Sequence, residues 1–376
     1  MNPESVSKPG PVRIGVVGCG NVLEVGYMPL IERLRGRGDA DLVMACDRRS
    51  ELRERVVESY RVPRFTVDYQ ELVESPDIDL VLVLTSMPLH APVSQAALRA
   101  GKHVLVEKPL ATTLEEGLAL VELARHSPGH LVPAPHVILS PTFQTMARRI
   151  RRGDIGTPLL ARARYGWTGP SWGKWFYQKG GGALFDLGVY NLTSLTGLLG
   201  PARRVSAMAG VAIPQRMVDD ELIQVEAEDN AHVLLDFGGS VFGVVSAGFT
   251  MQQYRSPCIE VYGSSGTIQM LGDDWDPEGY ELWQNSVGAW QVYAETDPAW
   301  PWVAGLDHLV ECARLGTRPL ISPEHACHVL EIMLAAQEAG RDGRTHELQT
   351  TFTPPIFPEP GPALPAYLVG DRNYRR

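Results

Sequence analysis

The chain has 376 residues, 44% of them apolar and 21% charged, a globular composition on a chain long enough for two domains rather than one. Its formal net charge of -10 argues against a nucleic-acid partner, which needs a basic face, but leaves room for a small anionic cofactor held by local positive potential. The 5 cysteines include no C-x-x-C pair, which argues against a disulfide framework or a metal site and fits a cytoplasmic protein; no apolar signal core opens the chain, and no apolar run is long enough for a membrane helix.

From the N-terminus, residues 12–18 (VRIGVVG) read as a buried strand closed by a turn. A helix is expected over 27–35, further strands over 42–46, 79–84 and 103–106, and a helix over 91–100 that closes at Gly101. Another helix opens near Thr112, where either Thr112 with Glu115 or Thr113 with Glu116 makes a capping box. Strands that alternate with helices in this way predict a parallel, doubly wound α/β sheet. Beyond residue 140 the pattern changes. A basic helix over 140–152 is followed by strand-like segments near 158–166, 204–213, 231–237, 241–249 and 258–271, with Gly238-Gly239-Ser240 as a hairpin turn. Asp236 alternates with Leu235 and Phe237, so the mostly antiparallel sheet has one buried face and one open polar face, turned to solvent or to another subunit. Residues 272–305 are expected to be a long irregular excursion. Helices return over 306–315 and 323–340, and the proline-rich stretch from 353 is expected to be extended or arm-like.

The chemistry begins at GVVGCGNV. Gly18 and Gly20 follow the first strand directly, and Asn21 and Val22 open the next helix, so backbone N–H groups there can approach a pyrophosphate. The third position of a full G-x-G-x-x-G is Leu23, and a bare G-x-G also serves as a plain strand-to-helix turn. The flanking strand and helix, and the acidic Asp47 that ends the second strand, favour the dinucleotide reading. Asp47 is a natural acceptor for ribose hydroxyls or, more simply, a helix N-cap. Arg48 and Arg49 could stack on adenine or pair with a 2′-phosphate; the carboxylate favours NAD, with NADP left open. At the end of a later strand stands Glu107-Lys108-Pro109. Ligands of open α/β sheets sit beyond the carboxyl ends of the strands, so Lys108 points where a nicotinamide meets its substrate. A lysine there can hydrogen-bond a hydroxyl and move its proton, and burial beside a cationic nicotinamide would draw its pKa down.

With GVVGCGNV, PDIDLVLVLTSMPLH, AGKHVLVEKPLA, RGDIGTP, GGGALFDLGVYNL and VYGSSGTIQM spread over nearly its whole length, the chain resembles the Gfo/Idh/MocA oxidoreductases, the glucose–fructose oxidoreductase and inositol dehydrogenase relatives. The resemblance implies a Rossmann dinucleotide-binding domain over 11–135, a substrate-binding and oligomerisation α/β domain over 136–352 and a tail over 353–376. It implies hydride transfer on a sugar or cyclitol, a homodimer or homotetramer, and proton transfer assisted by Lys108. It also implies that Glu107 and Lys108 border the cofactor, and that Thr85, Ser86, Pro88, Leu89 and His90 contact it; a surface histidine near an N-cap is the plainer reading of His90.

Asp186 and Tyr190, four residues apart in GGGALFDLGVYNL, share one face if Asp186 opens a helix. Members of the family often carry histidine where Tyr190 stands, and some carry tyrosine. A tyrosine can relay a proton if a nearby cation such as Lys108 lowers its pKa. Helix capping and core packing are the plainer roles of Asp186 and Tyr190. His136 could face the nicotinamide and replace the missing histidine, or be a satisfied core residue. Trp167, Trp172, Trp175 and Tyr177 could stack on sugar faces or pack their loop, and Lys174 and Lys179 could reach an anionic substrate group or remain solvated. The expected activity is that of an NAD(P)-dependent dehydrogenase or ketoreductase. The alternatives are glycoside cleavage through transient oxidation with bound NAD, and a sensor that binds cofactor without turnover.

Overall fold

The structure, a computed structural model, describes residues 10–255, 257–294, 297 and 300–358. The expectations for the first nine residues and for the tail past residue 358 therefore fall outside the described residues.

The first half is a βα alternation: β1 (Val12–Val17), α1 (Met28–Arg37), β2 (Ala40–Cys46), α2 (Arg53–Ser59), β3 (Arg64–Thr66), α3 (Tyr69–Glu74), β4 (Leu80–Val83), α4 (His90–Arg99), β5 (His103–Val106), α5 (Leu114–His126) and β6 (Leu131–Pro133). The six strands pair in the order β3-β2-β1-β4-β5-β6, all parallel. Covered on both faces, its central strands read as unbroken apolar runs; all four residues of β4 are buried. The order reverses between β1 and β4, which opens a crevice beyond their carboxyl ends. The Thr113–Glu116 capping box opens α5. The short β3, α2 and α3 left no periodicity to read.

The second half comprises α6 (Pro141–Arg152), β7 (Pro158–Gly166), α7 (Val189–Leu199), β8 (Arg204–Gly210), β9 (Gln215–Val218), β10 (Glu221–Gln224), β11 (Asn230–Gly238), β12 (Val241–Gly248), β13 (Ile259–Gly263), β14 (Gly266–Asp273), β15 (Asp276–Gln284), β16 (Trp290–Tyr293), α8 (Gly305–Leu315), α9 (Pro323–Asp342) and β17 (His346–Glu347). Nine strands form one sheet in the order β16-β15-β14-β13-β7-β12-β11-β8-β17; β7 and β12 run parallel and the other neighbours antiparallel. Helices α6, α7 and α9 cover one face. The other face is less polar than expected: Leu160, Met208, Leu234 and Phe242 all stand exposed on it.

Three expectations need correction. Residues 272–305 are not one irregular excursion, because β15 and β16 extend the sheet there. The breakers Gly272, Pro277 and Gly279 fall where a bulge shifts the β14–β15 register, so the ladder absorbs them. Residues 258–271 are two strands, β13 and β14, joined at Ser264-Ser265. The strand near 204–213 stops at Gly210, and a separate hairpin, β9–β10, follows; its turn uses Asp219 and Asp220 at φ of 51° and 60°, where glycine or asparagine is the usual signal.

Helix α8, though late in the chain, packs on the six-stranded sheet, and Arg37–Asp307 and Arg314–Asp39 ion pairs fasten it to the α1–β2 region. The described part of the tail lies along α6: Phe357 packs edge-on against Phe143, and Arg148 and Arg151 donate to the Pro358 and Phe357 carbonyls. Among the described residues all five cysteines are buried and free, no helix is long and apolar enough to cross a membrane, and no group of side chains is arranged to hold a metal ion.

Candidate active site

The glycine turn lies at the carboxyl end of β1. Gly18 adopts φ of 101°, and a Cβ on it would stand 2.5 Å from the Leu84 carbonyl oxygen, so only glycine lets the turn close on the end of β4. Above Gly20 there is open space. The helix that follows begins with a π-helical turn, Leu23–Tyr27, before α1. This answers the missing third glycine. Leu23 is buried in the core, and the close approach falls instead at Gly26, where a Cβ would stand 2.6 Å from the Trp302 ring.

Asp47 sits at the end of β2 and is 8% exposed. One carboxylate oxygen accepts the Cys19 N–H of the glycine turn (2.9 Å) and the other the Arg49 N–H (3.0 Å), while the Arg49 guanidinium brackets both. Burial pushes this carboxyl up, but Arg49 and the two backbone N–H groups outweigh it and hold the group below the usual carboxylate range. Arg48 is exposed beside it.

After β4, Ser86 and Pro88 are exposed along the crevice and Thr85 is half-buried. His90 is not a surface residue. It is 1% exposed, and its two ring nitrogens lie 2.7 Å from the Pro109 carbonyl and 3.0 Å from the Thr85 carbonyl, so it clamps the β4 end to the Glu107-Lys108-Pro109 turn. Glu107 is also an internal bracket: it accepts the buried Tyr27 hydroxyl at 2.8 Å and the Lys108 backbone N–H at 3.1 Å. Tyr27 was missed in the sequence, where it reads as an apolar helix position.

Lys108 leaves this bracket across a cis peptide to Pro109. Its Nζ donates to the Asp186 carboxylate at 2.6 Å and to the Asp186 carbonyl at 2.9 Å, and both side chains are 16% exposed. Asp186 does not open an α-helix. It sits inside a second π-helical turn, Leu184–Gly188, that runs into α7, which carries Tyr190. The Lys108 Nζ lies 5.4 Å from the centre of the Tyr190 ring, as a cation–π contact. The expectation that Lys108 lowers the Tyr190 pKa is overturned. Burial first, then the Glu107, Asp186 and Asp274 carboxylates, push this phenol well above its usual range, so it stays a neutral hydroxyl.

Lys108, Asp186 and Tyr190 line a cavity of about 770 Å³ together with Tyr165, Trp167, Tyr254, Asp273 and Trp275, and Tyr165 packs edge-on against Tyr190 at 5.8 Å. Of the loop aromatics only Trp167 reaches it. Trp172 packs on Trp167 at 5.7 Å and Trp175 stacks on Phe176 at 3.6 Å, and both stay half exposed outside the lining. Tyr177 is buried with its hydroxyl on the Pro170 carbonyl, and Lys174 is paired with Glu221. His136 does not line the cavity. It is 1% exposed and its ring presses on Gly305, where a Cβ would stand 2.2 Å from Cδ2; burial lowers its pKa to about 4. Tyr165, Tyr254, Asp273 and Trp275 escaped sequence reasoning because they come from β7, from the connection between β12 and β13, and from the stretch read as irregular.

Glu228 is a further residue of consequence. Its carboxylate lies under Gly182, accepts the Leu184 N–H at 3.4 Å and the Gln337 amide at 3.0 Å, and so sets the glycine loop that delivers Asp186. Burial raises its pKa to about 7. A raised carboxyl pKa contributes stability that is full below its ordinary value and lost as pH rises through the folded value. The Tm of Glu228→Gln, measured against the parent protein between about pH 5 and about pH 8, is therefore expected to gain on the parent as pH rises. A pH-independent difference would show that Glu228 is ionised throughout.

The crevice suits a dinucleotide. The Thr85 hydroxyl is buried with no partner among the described residues, Gly20 leaves open space over the turn, and Asp47 offers an ionised carboxylate at the β2 end.

Comparison with known proteins agrees. Residues 12–132 match the model of an oxidoreductase family described as having an NAD-binding Rossmann fold, and residues 143–269 match the GFO/IDH/MocA C-terminal domain. The chain is 26% identical over 329 residues to a D-apiose dehydrogenase of Paraburkholderia graminis, covering 83% of this chain and 84% of that one. It is 28% identical over 290 residues to a 1,5-anhydro-D-fructose reductase of Ensifer adhaerens, covering 75% and 83%. A Klebsiella pneumoniae protein described as an NAD binding oxidoreductase shares the fold, with a TM-score of 0.81 at 23% identity over 91% of this chain and 100% of that one.

Proposed function

The chain belongs to the GFO/IDH/MocA oxidoreductase family, with an NAD-binding Rossmann domain, and on that premise we propose that it is a dehydrogenase of a sugar or cyclitol hydroxyl. The observation that carries this reading is the Lys108 ammonium. It has three N–H donors, and two are taken by Asp186 at 2.6 Å and 2.9 Å. The third remains for a substrate hydroxyl in the cavity that Lys108 lines. When bound, the dinucleotide supplies the hydride acceptor. The glycine turn at Gly18–Gly20 with Asn21 and Val22, together with Asp47, Thr85 and Ser86, would hold it, and Lys108, on the cavity lining, would contact the reacting hydroxyl of the substrate. In the reductive direction the Lys108 ammonium gives a proton to the carbonyl oxygen and is left a neutral amine; in the oxidative direction Nζ first passes one proton to solvent by way of Asp186, and the neutral amine then takes the hydroxyl proton as the carbinol carbon is oxidised, with Asp186 fixing the position of Nζ. Tyr190, a neutral phenol, donates a hydrogen bond to orient the substrate. Trp167 and Trp275 offer ring faces to sugar C–H groups.

The test is a panel of aldoses, sugar acids and cyclitols assayed for the absorbance of reduced nicotinamide. Net formation with at least one polyol is expected, and none with any member defeats the reading. The named relatives are dehydrogenases and reductases, and the Lys108–Asp186 pair is intact, so neither glycoside cleavage nor a turnover-free sensor gains support. For the cofactor, the ionised Asp47 repels a 2′-phosphate, so NAD is expected to bind more tightly than NADP in a titration of intrinsic tryptophan fluorescence. Tighter NADP binding would assign the site to Arg48 and Arg49 instead. The exposed apolar side chains on the open face of the nine-stranded sheet support a homodimer or homotetramer through that face, which sedimentation velocity tests.

A further inference from the structure

The charges around the cavity point to one class within that substrate range. Its lining holds two cations, Lys108 and Arg255, against three carboxylates, Asp186, Asp273 and Glu278. Lys108 is already paired with Asp186, and both Arg255 and Glu278 are exposed to solvent. Deeper in, the negative charge is not neutralised. Asp273 accepts the Tyr254 hydroxyl on one oxygen at 2.8 Å, which leaves the other as an acceptor. Directly behind it, Asp274 is 1% exposed and bonded only by neutral groups, Asn191 at 3.1 Å and Ser194 at 2.9 Å, with its second oxygen unpartnered among the described residues. A further arginine, Arg164, lies over the Tyr254 ring at 5.3 Å. A substrate carboxylate is held by a free arginine or lysine fork, whereas substrate hydroxyls are held by carboxylate acceptors.

We propose that Asp273, backed by Asp274, makes this site select neutral, hydroxyl-rich sugars or cyclitols and exclude sugar acids, an inference that rests on the dehydrogenase reading above. An ionised carboxylate in the cavity would meet the Asp273 carboxylate of the lining, with the buried Asp274 next to it in the chain, and the discrimination against it is expected to be at least ~30-fold.

The experiment compares matched pairs that differ only in CH2OH against carboxylate, such as glucose with glucuronate and galactose with galacturonate. It is run near pH 8, above the value of about 6 to which burial lifts Asp274. Two readouts are taken on the protein with NAD: kcat/KM for nicotinamide reduction, and binding by quenching of Trp167 and Trp275, which line the cavity. The neutral member is expected to win by at least ~30-fold in both. Asp273→Asn is expected to narrow the gap by about 10-fold, chiefly by improving the acid, with the Tm reporting that the variant is folded. If Asp273→Asn does not fold, Glu278→Gln is the second variant, with a smaller narrowing expected. An acid that binds as well as its neutral partner, a gap unchanged in the folded variants, or no binding of either member overturns the inference. Binding that favours the neutral member without any turnover supports the selectivity and instead defeats the dehydrogenase reading.

Discussion

Lys108→Met is expected to lower turnover by at least ~100-fold while dinucleotide binding stays within a few-fold of the parent, the scale on which loss of a positioned acid–base group is felt. Methionine keeps the unbranched stem and its packing but removes all three N–H donors. Two of those donors hold Asp186, so the variant also leaves a mostly buried carboxylate without its cation. Asp186→Asn separates the two effects. It keeps an oxygen that can accept from Nζ while removing the charge, and is expected to lose less turnover than Lys108→Met. Cofactor binding in both variants is read by tryptophan fluorescence and folding by Tm. Near-normal turnover in Lys108→Met would remove this lysine from the chemistry.

Gly18→Val is expected to cost several kcal/mol of stability and to abolish measurable dinucleotide binding. Two independent penalties add there. A positive φ at a β-branched residue costs roughly 1–2 kcal/mol by itself. A Cβ only 2.5 Å from the Leu84 carbonyl oxygen must also push apart the ends of β1 and β4, where the crevice opens. Gly20→Ala is the matching control. Nothing lies within 4 Å of a Cβ there, so the Tm is expected to hold, while dinucleotide affinity falls because the methyl group fills the space over the turn. Unchanged affinity in Gly20→Ala would place the dinucleotide away from this turn.

What could be read from the chain, and what could not, follows the range of the interactions. The parallel sheet was legible because strands such as VRIGVV and LVLV are covered on both faces and announce themselves as short apolar runs. The Thr113–Glu116 box was legible because a cap is a contact between near neighbours. β15 and β16 were not, since their prolines and glycines are tolerated only through a bulge against β14. Asp186 and Tyr190 were paired correctly by spacing but through the wrong geometry, because a π-helical turn gives no sequence period to detect.

By itself, the sequence determined the Rossmann-type alternation, the glycine turn, the acidic end of β2 and the lysine at the end of β5, because each is a local pattern with a local physical cause. The tertiary structure alone decided the rest. It turned His90 and Glu107 inward as clamps, withdrew His136 behind Gly305, and kept Trp172 and Trp175 off the cavity wall. It carried α8 back across the chain onto the first sheet, and brought Asp273 and Trp275 into one cavity lining with Lys108. Each of these depends on contacts between residues far apart in sequence, and burial and charge at such contacts exist only once the two sheets have packed.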